Sequence, residues 1–301
     1  MTRNFKYMCA IFAMVAFVLA SVPVGTASAF DGESQFAELD KANIHYKSYG
    51  KGSEALVLVH GWSCNLDNWR DQIPDLSKRT RVIALDLPGH GQSDKPNVVY
   101  SMDLFANAID AVLRDAKVER AVIAGHSMGT PVARQFYRKY PQKTLGIIIV
   151  DGGLRPFGTK EMREQFVAMF RSPDYKKAAA PMFQGMMGPL AAPDRERVLA
   201  SFNNTPQHVL VSAMESMNEE SLYGPDKMNV PVFAILAKSP FWAPDTEEFF
   251  RSIAPDFEMQ WWDGVGHFLS MEKPKQFNDA VIAFLDKKSL LKSTKQLTKG
   301  E

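Results

Sequence analysis

The sequence predicts an α/β fold: a mostly parallel sheet flanked by helices and interrupted once by a helical insertion. Three observations carry this. Short, nearly continuous apolar runs alternate with segments of helical spacing, the pattern of βα units on a parallel sheet. That alternation stops between residues 154 and 226 and resumes at Val230. The 301 residues are 46% apolar and 23% charged, ordinary values for a chain that buries a core.

Taken in order, Asn43–Tyr49 alternates polar and apolar residues and predicts an antiparallel edge strand. Ala55–His60, Arg81–Leu87, Arg120–Ala124, Leu145–Asp151 and Val230–Ala237 read as strands buried on both faces, and Phe257–Trp262 as the last strand. Between them Leu104, Ala108, Ile109, Val112 and Leu113 recur at helical spacing, as do Val132, Phe136 and Tyr137. The insertion shows short amphipathic helices, one through Met162, Phe166, Met169 and Phe170 and another through Leu210, Ala213, Met214 and Met217. Pro173, Pro181, Pro189, Pro193 and Pro206 separate the pieces. One domain is expected, with its core at 36–153 and 227–288, a helical lid at 154–226 and a basic tail at 289–301.

The first residues read differently. Arg3 and Lys6 precede the apolar run Met8–Leu19, and Ala27-Ser28-Ala29 supplies small residues at a cleavage point, the pattern of a secretory signal peptide over 1–29. The run is about 12 residues long and a membrane span needs roughly 20, so no stable span is expected after cleavage. A secreted or periplasmic protein follows, with Cys64 as its single cysteine.

Composition excludes several classes. Thirty-five Lys and Arg against 34 Asp and Glu leave a net charge of +1, unlike a basic nucleic-acid binder or an acidic disordered chain. Two cysteines in all are too few for a disulfide scaffold or a cysteine-based zinc site. No histidine pair has metal-ligand spacing with a carboxylate, so neither metal nor cofactor is expected.

Gly125-His126-Ser127-Met128-Gly129 follows a strand run and precedes a helical segment. A G-x-S-x-G turn between strand and helix exposes its serine, because only small residues fit two positions away on either side. Val57–Trp62 (VLVHGW), Asp86–Asp94 (DLPGHGQSD) and Val265–Phe268 (VGHF) accompany it in order. With these motifs the chain resembles the α/β-hydrolase superfamily from about Phe36 to Asp286. The resemblance implies the α/β-hydrolase fold, with Ser127 as nucleophile and His267 as general base. It also implies an oxyanion hole formed by the backbone N–H groups of Trp62 and Met128. His60 and His90, beside glycines in turns, read as structural; His126 reads as packed beside the sheet, and His45 and His208 show no partner pattern.

The third member of the triad is open. Most of the family carries an aspartate after the next-to-last strand, where this chain reads Ala237-Lys238-Ser239-Pro240. Asp151, at the end of the Leu145–Val150 run, is the first substitute, since some family members place their acid there. Asp245 on a longer loop is the alternative, and the lack of any acid is the third reading. Asp263, four residues before His267, is expected to point elsewhere.

A serine nucleophile excludes the carboxylate-based dehalogenase route and points to an acyl-enzyme. The expected substrate is a small ester, thioester or lactone with an apolar acyl group facing a methionine-rich lid. Perhydrolysis and carbon–carbon hydrolysis on the same triad stay as alternatives, as does a weakly active or binding protein without the usual acid. No nucleic-acid partner is expected.

Overall fold

The computed structural model describes residues 32–291. The expected leader at 1–29 and most of the expected basic tail lie outside the described residues. In chain order come β1 (Ser34–Leu39), β2 (Ala42–Tyr49), β3 (Glu54–Val59), helix α1 (Ile73–Arg79) and β4 (Val82–Leu85). They are followed by α2 (Met102–Asp115), β5 (Arg120–His126), α3 (Gly129–Lys139) and β6 (Thr144–Val150). Four helices then interrupt the alternation: α4 (Lys160–Arg171), α5 (Tyr175–Met186), α6 (Ala192–Asn204) and α7 (Gln207–Met217). The sheet resumes with β7 (Val232–Ala237), α8 (Thr246–Ile253) and β8 (Phe257–Trp262), and α9 (Leu269–Glu272) and α10 (Pro274–Lys287) close the described chain.

The strands form one sheet in the order β1-β2-β4-β3-β5-β6-β7-β8. Pairing is antiparallel for β1/β2 and β2/β4 and parallel from there on. The near-continuous apolar runs follow from burial of both faces. In β3, Ala55, Val57 and Val59 join a core with Phe105 and Ile109 of α2 and Val132 and Phe136 of α3. Leu56 and Leu58 join the opposite core with Ile73 and Leu76 of α1 and Phe277 and Phe284 of α10. A fully buried phenylalanine such as Phe105 or Phe136 is worth about 3–5 kcal/mol against truncation to alanine.

Two expectations are corrected. Asn43–Tyr49 is antiparallel but not the edge: β1 pairs with it, Phe36 opposite His45, and takes that place. Most of β1 is exposed and its sequence, SQFAEL, lacks a clean apolar run, so it carried little strand signal. Pro181 does not separate two helices but lies inside α5, with its ring on the exposed side where it displaces no packed neighbour. Pro193 lies in the first turn of α6 and Pro206 precedes α7, positions where a missing N–H costs nothing.

The parallel strands end on one edge, and the loops after β3, β5, β6, β7 and β8 converge there. Open α/β sheets bind ligands at this carboxyl edge. The four inserted helices also begin there, after β6. Their Phe170, Phe183 and Phe202 are buried in one cluster with Trp62 of the β3 loop. Among the described residues, no helix is long and apolar enough to cross a membrane.

Candidate active site

Ser127 occupies the turn between β5 and α3 with φ +52°, the left-handed region that residues other than glycine rarely adopt. The turn closes because its flanking glycines admit neighbours at backbone distance. A Cβ on Gly125 would stand 2.1 Å from the Gly129 carbonyl oxygen, and one on Gly129 2.6 Å from that of Val59. Ser127 N–H donates to the Val150 carbonyl (2.9 Å) and Thr130 N–H to the Ser127 carbonyl (2.9 Å), which ties the turn to the end of β6. Strain of this kind persists only where surrounding bonds over-determine it.

The loop after β3 lies against this turn. A Cβ on Gly61 would come within 3.1 Å of Ser127 Cβ and 3.0 Å of His126 Nδ1. Trp62 follows it, its indole N–H committed to the Leu210 carbonyl of α7 (2.9 Å). Among the described residues, neither the Trp62 nor the Met128 backbone N–H has a hydrogen-bond acceptor. Met128 sits at the start of α3, where the helix dipole favours negative charge.

His267, on the loop between β8 and α9, meets Asp151 at the end of β6: Nδ1 to Oδ2 is 2.7 Å. Asp151 is nearly buried, and its Oδ1 accepts the Ala237 N–H at the end of β7 (2.8 Å). A carboxylate accepts only, so His267 donates from Nδ1 and its Nε2 keeps a lone pair. The imidazole is held from a second side, because buried His126 donates Nε2–H to the His267 carbonyl (2.9 Å) and packs its ring 4.8 Å away. Burial, then the neighbouring His267, pulls the His126 pKa down to about 3, so it stays neutral.

Asp245 goes elsewhere. It is exposed at the start of α8 and pairs with Arg155 (3.0 Å). Asp263 pairs with Lys238 (2.9 Å). His60 is buried, donating Nδ1–H to the Gly61 carbonyl while Nε2 accepts from Leu87 N–H, and burial lowers its pKa. His90 packs 5.1 Å from it. His45, for which the sequence offered no partner, hydrogen-bonds Asp86 through Nδ1 (2.7 Å) and Ser34 through Nε2 (2.9 Å), pairings too distant in sequence to read.

Ser127, His267, Trp62 and Gly61 line one cavity of about 110 Å³. Most of its remaining wall is apolar: Phe166 of α4, Met182, Phe183 and Met186 of α5, Met214 and Met217 of α7, and Phe268. Ser127 and His267 both line this space and make no hydrogen bond to each other. Two further residues on the wall carried no sequence signal. Ser63 is buried, and its hydroxyl has no hydrogen-bond partner among the described residues. The Cys64 thiol is pushed up to about 12 by burial, so it stays protonated and does not compete as a nucleophile. A larger open depression of about 500 Å³ at the start of α10 is lined by Lys273, Lys275 and Asp279 and holds no nucleophile. Among the described residues no three metal-ligating side chains cluster.

A family model described as "alpha/beta hydrolase fold" matches residues 54–170. The dihydrolipoyllysine-residue acetyltransferase component of the acetoin cleaving system of Cupriavidus necator is 35% identical over 117 residues, 39% of this chain and 31% of that protein. The match thus spans about a third of the length of the first of the curated relatives. Among solved structures, Est816, described as an N-acyl homoserine lactone degrading enzyme, is 27% identical with a TM-score of 0.73, covering 83% of this chain and all of its own. The enol-lactonase of Burkholderia xenovorans shares the fold at 19% identity and TM-score 0.75, covering 84% of this chain and all of its own. The family match runs from β3 through the serine turn into α4, and the likeness to Est816 covers most of the chain: this chain has the α/β-hydrolase fold.

Proposed function

We propose that the protein is a serine hydrolase that cleaves a small ester, thioester or lactone through an acyl-enzyme on Ser127. One observation carries the reading: a serine held in a left-handed turn shares an apolar cavity with a histidine whose far nitrogen is hydrogen-bonded to a buried aspartate. In this reading Ser127 Oγ attacks the acyl carbon as His267 Nε2 takes its proton, and Asp151 steadies the imidazolium. The oxyanion accepts hydrogen bonds from the Trp62 and Met128 N–H groups, a contribution of about 3 kcal/mol per donor. His267 then returns the proton to the departing alcohol or thiol. A water deprotonated by the same nitrogen releases the acid.

The cavity supports a short, neutral acyl group. A water molecule takes about 30 Å³ in the liquid, so 110 Å³ holds roughly four groups of methylene size. No lining side chain is a carboxylate, lysine or arginine, which disfavours an ionised acyl group. Lactones stay within the class because Est816, described as degrading N-acyl homoserine lactones, is similar over most of the chain. The alternative of a binding protein rested on a missing acid partner for His267, and the Asp151 hydrogen bond leaves it without that ground.

The test is a fluorophosphonate label followed by p-nitrophenyl esters of increasing acyl length. Wild-type protein is expected to label at Ser127 and to hydrolyse short esters, and Ser127→Ala to do neither. Unchanged hydrolysis in Ser127→Ala would sink the mechanism.

A further inference from the structure

Glu272, at the end of α9, is a half-buried carboxylate that the acyl-transfer steps above do not use. Both its oxygens accept the Gly266 N–H, at 2.8 and 3.0 Å, and Gly266 immediately precedes His267. The other side of Gly266 is closed by the turn after α5. A Cβ there would lie 3.1 Å from Glu272 Oε1, 3.1 Å from Pro189 Cδ and 3.4 Å from the Met186 carbonyl oxygen. The backbone leading into His267 is therefore gripped between a carboxylate and the inserted helices.

We propose that Glu272 is a positioning residue for His267, fixing the loop that presents the imidazole and placing a second negative charge behind it. This rests on the reading of His267 as the general base. Asp151 supplies the first charge by direct contact, and Glu272 acts through the backbone and through space. When His267 takes the serine proton, the imidazolium that forms lies in the field of both carboxylates.

The charged surroundings of Glu272 are few. Asp151 faces it from the end of β6 and His267 from the loop, while Lys273 adjoins it. Lys275 and Asp279 of α10 share the neighbouring depression and pair with each other at 2.6 Å. The turn after α5 adds backbone only, with Arg195 spent on the Leu190 carbonyl (2.8 Å) and on Gly188. Burial, and then the Asp151 charge, raise the Glu272 pKa, while the Gly266 N–H, Lys273 and His267 pull the other way. Two carboxylates beside one imidazole thus oppose each other until the imidazole becomes charged.

The test compares Glu272→Gln with Glu272→Ala in the full chain. Glutamine keeps an oxygen for the Gly266 N–H and deletes the charge; alanine deletes both. In Glu272→Gln the His267 imidazole titration, read by ¹⁵N NMR, and the acid limb of kcat/KM are expected to move together to lower pH by about 0.5 unit. Glu272→Ala is expected to lose a further factor of about ten in kcat as the loop shifts. An unmoved imidazole titration in Glu272→Gln, or full kcat in Glu272→Ala, overturns the proposal. A titration that moves while the activity limb stays in place overturns instead the base reading on which it rests.

Discussion

His267 and Asp151 are 116 residues apart in the chain and 2.7 Å apart in the fold. The parallel sheet makes this contact: β6 ends at Val150, β8 at Trp262, and β7 between them donates its Ala237 N–H to the Asp151 carboxylate. Asp151 itself has φ +44°, so the chain turns sharply as it leaves the strand. The carboxylate is thus oriented by two strand ends rather than by a loop, the kind of support that holds a site rigid.

Asp151→Asn is expected to lower kcat for a short p-nitrophenyl ester by about 10³–10⁴-fold with little loss of stability. The amide oxygen still accepts from Ala237 N–H, but its NH₂ then faces Nδ1 and favours the wrong imidazole tautomer. Asp245→Asn, which breaks only the exposed pair with Arg155, is expected to leave kcat within about twofold. The reverse ranking would move the acid to Asp245.

Ser127→Gly is expected to be more stable than Ser127→Ala by about 1 kcal/mol, with hydrolysis expected to be lost in both. The left-handed turn costs an L-residue roughly 1–2 kcal/mol that glycine avoids, offset in part by glycine's freer unfolded chain. Urea midpoints of the two variants check it; equal midpoints would show that the turn stores no strain.

Stability is expected to fall as pH drops below about 6.5. His90 and His126 are fully buried, and burial lowers both pKa values to about 3; His60 is shifted the same way. Below about 6.5 the unfolded chain binds protons that the fold refuses, so stability present at neutral pH is lost between about 6.5 and 3. His90 and His126 each contribute a slope of about 1.4 kcal/mol per pH unit in that window. Urea titrations at pH 7 and pH 5 measure it, and equal midpoints would contradict neutral burial.

Met214→Ala is expected to shift the acyl-length optimum upward by about two carbons, with short esters losing activity. Met214 lines the cavity from α7, and truncating it enlarges a space of about 110 Å³. The kcat/KM ratio for longer against shorter p-nitrophenyl esters is the readout; an unchanged ratio would place the acyl chain on another wall.

The serine turn was legible because its physics is local. Gly125 to Gly129 are contiguous, and the collisions that demand glycine there are with backbone only a few residues away or on the adjoining strand. The buried strands were legible for a similar reason, since both faces of each must be apolar. The edge strand β1 was not, because a mostly exposed strand needs no apolar pattern. Nor were His45 with Asp86, His126 with the His267 carbonyl, or Glu272 with Gly266 as a support for the loop.

The fold class, the serine turn and the histidine after the last strand are each encoded in a short run whose backbone demands are met locally, so all three could be read in one dimension. Which carboxylate meets that histidine is set by the packing of the sheet. Asp151 and Asp245 both lie in loops that follow parallel strands, and their chemistry in one dimension is the same. Strand order and the direction of each loop bring one to 2.7 Å from the imidazole and hand the other to Arg155. A hydrogen bond is lost within an ångström of misplacement, so this choice depends on distances that only the packed sheet sets.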